Sequence, residues 1–185
     1  MPNPNQALAA LAAATAVTAL AYAACRSALL HLALGVGVAA TAAEVAGQVT
    51  GNGDDGPWGL VLAGAVWLAL VTARAVEERA LGEVFGLAVV YAGGEGVTAT
   101  DGPVGYLIIG LVVLAGLGGY LRTRRIPVLV VGVIALATLV PQVVDHYAGG
   151  SLRAGGALLV TGLSIVGASL LGLTLHHRQP SHRTD

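Results

Sequence analysis

The sequence predicts an all-α protein built as a polytopic membrane helix bundle of seven transmembrane helices. Three observations carry this. Only 9 basic and 10 acidic residues occur in 185, so charged residues make up 10%, whereas a water-soluble domain carries about 25%. Hydrophobic residues reach 56%, and the mean hydropathy is +0.80. Apolar stretches recur along the chain, each long enough to match the roughly 20 residues that span a hydrocarbon core. This balance excludes an ordinary globular domain, a disordered chain and a nucleic-acid binder.

The first span is expected at 7–25 and ends at Arg26-Ser27. The second, 28–47, carries Glu44 near its end, and a polar loop holds Asn52, Asp54 and Asp55. Pro57, a residue type favoured in a first helical turn, opens the third at 57–73. A charged turn of Arg74, Glu77, Glu78 and Arg79 leads to the fourth, 81–97, which is the least apolar and contains Glu83, Gly93, Gly94 and Glu95. The fifth, 103–121, begins at Pro103 and stops before Arg122, Arg124 and Arg125. The sixth, 126–147, contains Pro141 and closes with Asp145-His146-Tyr147. The seventh, 155–175, runs into a polar tail at 176–185, so residues 1–175 form one transmembrane domain. No Gly or Pro marks the break between the first two spans, and a second reading leaves six, with the first segment lying in the interface.

Arginine placement gives an independent test. With seven spans, Arg26, Arg74, Arg79, Arg122, Arg124, Arg125, Arg178 and Arg183 fall on one side and only Arg153 on the other. By the positive-inside rule the N-terminus is then outside and the C-terminus cytoplasmic. Asp54, Asp55 and Asp101 segregate to the outer side. Trp58, Tyr106 and Tyr147 sit at outer ends, with Tyr22 and Tyr120 at inner ends, as aromatic belts do. Residues 1–6 hold no basic side chain, so no cleavable signal is expected.

A threefold repeat is also legible. Glu44, Glu95 and Asp145 are 51 and 50 residues apart, each at the outer end of an even-numbered span. The entries Asp55-Gly56-Pro57-Trp58-Gly59 and Asp101-Gly102-Pro103-Val104-Gly105 match closely, while Ser151-Leu152-Arg153-Ala154-Gly155 has drifted. The unit is an outward-pointing hairpin, and three such hairpins are parallel repeats rather than an inverted pair. The competing explanation is that two spans and two loops sum to such a period anyway.

The candidate proton or cation site is Glu44, Glu95, Asp145 and His146. An ionisable group in a span is costly, and pairs or lines a wet pathway. Ala33, Gly37, Ala40 and Glu44 share one helical face, and small faces pack on helices rather than lipid. The alternative is that these acids are solvated at the interface or pair with Arg153 or His146. Pro141 is expected to kink its helix, because it removes a hydrogen bond one turn before Asp145. His31, in the inner third of the second span, is expected to snorkel or to be hydrogen-bonded. Arg122, Arg124, Arg125 and Arg178 are expected to contact lipid headgroups. Arg74 and Glu78 are spaced to pair on one helical face.

Every basic residue is Arg, which excludes Lys-based Schiff-base chemistry and a Walker A loop, and hence a nucleotide site of that type. Cys25 is alone, so no disulfide or paired-thiol metal site forms within the chain. No catalytic motif, cofactor site or metal site is expected. The stretch Val140-Pro141-Gln142-Val143-Val144-Asp145-His146-Tyr147, continuing to Gly172, resembles the C-terminal hairpin of uncharacterised Ala/Gly-rich multi-pass integral membrane proteins of high-GC Gram-positive bacteria. The resemblance implies a bacterial cytoplasmic membrane and supplies no site residues. The expected role is a non-catalytic membrane subunit or scaffold, partnered by lipid and by another subunit or a second copy. The alternative is a small proton- or cation-linked transporter or channel using the outer carboxylates.

Overall fold

The computed structural model describes residues 4–25, 27–51, 53–73, 78–147 and 162. Its regular structure is entirely helical among the described residues. Six α-helices follow in order: α1 (Pro4–Ala24), α2 (Ala28–Thr50), α3 (Gly56–Thr72), α4 (Arg79–Thr98), α5 (Gly102–Thr123) and α6 (Ile126–Tyr147). A short 3-10 turn at Gly53–Asp55 precedes α3. Five of the helices, all but α3, are long and apolar enough to cross a membrane. α3 is apolar but has 17 residues, which at 1.5 Å rise reach about 25 Å, under the roughly 30 Å of a hydrocarbon core. The expected seventh span and the polar tail lie outside the described residues, as do Arg26, Asn52, Arg74, Glu77, Arg153, Arg178 and Arg183.

The helix limits have local causes. Ser27 is extended (φ −124°, ψ 148°), and its hydroxyl accepts a hydrogen bond from the Leu30 N–H at 3.3 Å. A serine N-cap therefore makes the break between α1 and α2. Gly51 closes α2 in the left-handed region at φ 69°, where a side chain would be strained. α3 and α5 both start as Asp-Gly-Pro with proline in the first turn. Asp101 caps its helix by accepting from the Val104 N–H at 3.4 Å, whereas Asp55 makes no such bond.

Consecutive helices pack side by side and alternate in direction. Absent side chains let them approach: a Cβ on Gly93 would stand 2.7 Å from the Val61 N and 2.8 Å from the Pro57 O. One on Gly64 would stand 2.8 Å from the Val90 N. α3 and α4 thus touch backbone to backbone, and Gly116 and Gly132 do the same for α5 and α6. Such close dispersion contact replaces the hydrophobic effect where the surroundings are apolar. The core gathers Leu87, Ile109, Val112, Val113, Val128 and Ala135 from α4, α5 and α6. Leu62, Leu107, Leu111, Leu114 and Ile126 remain exposed on outward faces, an apolar girdle compatible with lipid.

α4 also meets α6, two helices along. Tyr91 pairs with Thr138 and Glu95 with Gln142, both 47 residues apart, so α4 and α6 run parallel in one register. The bundle has an acidic end, where Asp101 and Asp145 lie, and an arginine end, where Arg79, Arg122, Arg124 and Arg125 lie.

Candidate functional site

At the acidic end the four candidate residues divide. Glu44 is half-buried on α2 and accepts from the Gln48 amide at 3.0 Å, one turn along the same helix. Its face does not point to the centre of the bundle. Gly37 packs on Thr15, and Thr41 bonds Thr15 at 3.2 Å, so this face turns toward α1. The buried residues of α2 are instead His31, Gly35 and Ala39, with Gly35 against the Phe85 ring. The small-residue spacing identified a packing face but not which neighbour it packs on.

Glu95 sits on α4 between Gly93 and Gly96, both of which face Pro57 at the start of α3. Ala43, next to Glu44, faces Gly56 and Gly59 on that same turn of α3. The backbones beside Glu44 and Glu95 thus both pack on the first turn of α3, while the two carboxyls are bonded elsewhere.

The Glu95 carboxyl reaches α6. Its Oε2 accepts from the Gln142 amide Nε2 at 2.7 Å. Its neighbour on α4, one turn earlier, is Tyr91, whose hydroxyl lies beside the carboxyl. That hydroxyl donates to Thr138 Oγ1 at 3.1 Å, and the Thr138 hydroxyl donates to the Ala135 carbonyl at 3.1 Å. Two oxygens of this cluster, Glu95 Oε1 and Gln142 Oε1, are buried without a hydrogen-bond partner. Gln142 also lines an open cleft of about 290 Å³ with Thr98, Ala99, Tyr106, Asp145 and His146. Asp145 and His146 are exposed there, and the His146 ring stands edge-on to Tyr106 at 5.6 Å. Pro141 lies inside α6, which continues to Tyr147.

The arginine end holds a second buried polar cluster. His31 is 1% exposed, so it does not snorkel, and neither ring nitrogen has a hydrogen-bond partner. It is held by aromatic rings instead: Tyr22 at 5.6 Å and Trp67 at 5.1 Å, with Phe85 against Trp67 at 5.5 Å. Trp67 Nε1 and Glu78 Oε2 are also buried and unpartnered. The expected pairing of Glu78 with Arg74 falls outside the described residues. The aromatic cage draws on α1, α2, α3 and α4, and no spacing within one helix signals it.

Of the arginines expected at headgroups, Arg122 and Arg124 are exposed. The Arg124 guanidinium lies 6.0 Å from the Tyr120 ring centroid, and its backbone takes a positive φ of 57° to end α5. Arg125 is tied to Glu83 by an ion pair of 3.2 Å and lines an open cleft with Glu78, Arg79, Ala80 and Leu81. Among the described residues no three His, Cys, Asp or Glu side chains gather as a metal site.

Comparison with known proteins finds no matching family model, no similar curated protein and no similar solved structure. What stands is the class: among the described residues, an all-helical fold with five helices long and apolar enough to cross a membrane.

Proposed function

We propose that the protein is a non-catalytic membrane subunit or scaffold that packs against partner helices in a bacterial cytoplasmic membrane. In this reading the chain crosses seven times, with the N-terminus outside and the acidic end of the bundle facing out. Its hairpins 28–73, 81–121 and 126–175 form three parallel repeats. The observation that carries the reading is the dispersal of the acids. Glu44 is spent on Gln48 within α2, while Glu95 is spent on Gln142 of α6, and α2 and α6 make no contact among the described residues. A transport site shared by the three carboxylates would need them around one space. The exposed apolar faces of α2, α3, α5 and α6 offer the surface that a partner helix would take.

One observation favours a second reading, a proton- or cation-linked transporter. The two unpartnered oxygens at Glu95 and Gln142 lie beside a cleft that opens at the acidic end.

Proteoliposomes with the full chain separate the two. The subunit reading expects no movement of H⁺, Na⁺ or K⁺ down imposed gradients, together with a membrane protein that co-purifies in fixed ratio. Flux that vanishes in Glu95→Gln would replace it with the transporter reading. In a Cys25→Ser background, Thr100→Cys should label from outside and Thr123→Cys from inside. Labelling of both from one side would remove the proposed topology.

A further inference from the structure

We propose that the cleft between α4 and the α5–α6 turn binds the phosphoethanolamine headgroup of a membrane lipid, with the phosphate on Arg79 and Arg125 and the ammonium on Glu78. The inference goes beyond both readings above, because it concerns a lipid held at the arginine end and not traffic through the bundle.

The cleft has a volume of about 440 Å³ and is lined by Glu78, Arg79, Ala80, Leu81 and Arg125. Pockets that hold small molecules run from roughly 300 to 1,000 Å³. Its two guanidiniums come from different elements: Arg79 from α4, and Arg125 from the turn between α5 and α6. Glu83 follows Arg79 by four residues and so shares its helical face. Glu83 Oε2 accepts from Arg125 Nη1 at 3.2 Å, which holds Arg125 beside that face. Two positive groups are thereby gathered at one cleft, and only Arg125 is in an ion pair among the described residues. A phosphate shared by both relieves their repulsion. Each guanidinium carries five N–H groups, so Arg125 keeps donors for a phosphate while bonded to Glu83.

Charge decides the rest of the ligand. Glu78 and Glu83 balance Arg79 and Arg125, so the four groups are neutral together. Glu78 stands at the N-cap of α4, yet its side chain makes no capping bond. A purely anionic headgroup would satisfy the arginines and set its charge beside this carboxylate. A choline headgroup carries a positive charge but has no N–H to donate. Phosphoethanolamine offers both a phosphate and an ammonium with three N–H groups, one partner for each sign in the cleft.

The walls favour a lipid over the soluble headgroup. Leu81 lines the cleft and Ile126 follows Arg125, and both side chains are exposed. The cleft thus borders apolar surface at the level where α4 and α6 begin and α5 ends, and acyl chains attached to the headgroup would cover it.

Native mass spectrometry of the full chain tests this, with phosphatidylethanolamine, phosphatidylcholine and phosphatidylglycerol of identical acyl chains offered in equal amounts. The ethanolamine lipid should be retained about tenfold better than either rival, the effect of one charge-assisted hydrogen bond. Glu78→Gln should remove this preference while leaving phosphatidylcholine binding unchanged. Arg79→Gln should weaken all three lipids, because the phosphate is common to them. Arg122→Gln, an exposed arginine at the same end but outside the cleft, should change nothing. Arg79 is exposed, and neither it nor Glu78 is in an ion pair among the described residues, so both variants should keep their helical circular dichroism. Equal retention of the three lipids by the unmodified protein would overturn the proposal, as would an ethanolamine preference that persists in Glu78→Gln. Stronger retention of phosphatidylglycerol would assign an anionic headgroup instead. Displacement of the lipid by millimolar glycerophosphoethanolamine would assign a soluble ligand. Ion flux and co-purification of a partner are separate readouts, so the failure of this site and the failure of either reading above are distinguishable.

Discussion

The two ends of α4 bury polar groups in opposite ways. At the acidic end, Tyr91 and Glu95 find partners on α6, and the atoms left over are both acceptors. At the arginine end, His31 and Trp67 are enclosed by rings, and the atoms left over there and at Glu78 are mixed: two imidazole nitrogens, an indole N–H and a carboxylate oxygen. The kind of deficit indicates the kind of remedy. An excess of acceptors is met by donors, such as a water or the second N–H of an amide. A mixture needs no charge, because a water can bridge donor to acceptor, or an apolar ring can replace the group outright. The first cluster is thus held by directed hydrogen bonds between two helices, and the second is chiefly a packing feature.

The comparison can be broken most severely at Gly82. A Cβ there would stand 2.5 Å from Val71 Cγ2 and 3.7 Å from both His31 Nε2 and Trp67 Nε1. Gly82→Leu should drive α4 from α3 at this end and cost about 1–3 kcal/mol through overpacking. A lowered thermal midpoint in nanodiscs, with Trp67 emission shifted to the red in a Trp58→Phe background, is the expected result. Unchanged emission would show that the cage does not depend on this approach.

His31→Phe sharpens the contrast. The cage is aromatic and the structure gives the imidazole no hydrogen bond to lose, so the change should be neutral or stabilising by about 1 kcal/mol. A midpoint that falls by a comparable amount would mean that the ring nitrogens are bridged, and the two ends would then be alike in kind.

The smallest effect is expected at Glu83. Its ion pair with Arg125 is partly exposed, with side chains 26% and 37% accessible. Such a pair contributes about 0–1 kcal/mol and is screened by salt. Glu83→Gln should leave the midpoint within that margin, and the difference should vanish at high ionic strength. A larger loss would make this contact, and not the Glu95–Gln142 bond, the main tie between α4 and the start of α6.

Much of this molecule follows from its sequence alone. The helical class and the limits of α6 at 126–147 are local properties: a sum of hydropathy over some twenty residues, and a backbone that must bond to itself in an apolar surrounding. The start of α2 is local too, since Ser27 is an N-cap by residue type, where neither Gly nor Pro marks the break. Glu95, Gln142, Asp145 and His146 were legible as polar residues near one end of apolar spans. What only the tertiary structure decided was who meets whom. Gly93 and Gly64 set how closely α3 and α4 approach, and the parallel register of α4 and α6 brings Tyr91 to Thr138 and Glu95 to Gln142. The same packing turns Glu44 toward α1 and closes four helices around His31. Periodicity within one helix gives the face on which a residue lies. The partner on that face depends on the rotation and rise of a second helix, and these are fixed by contacts some fifty residues away along the chain.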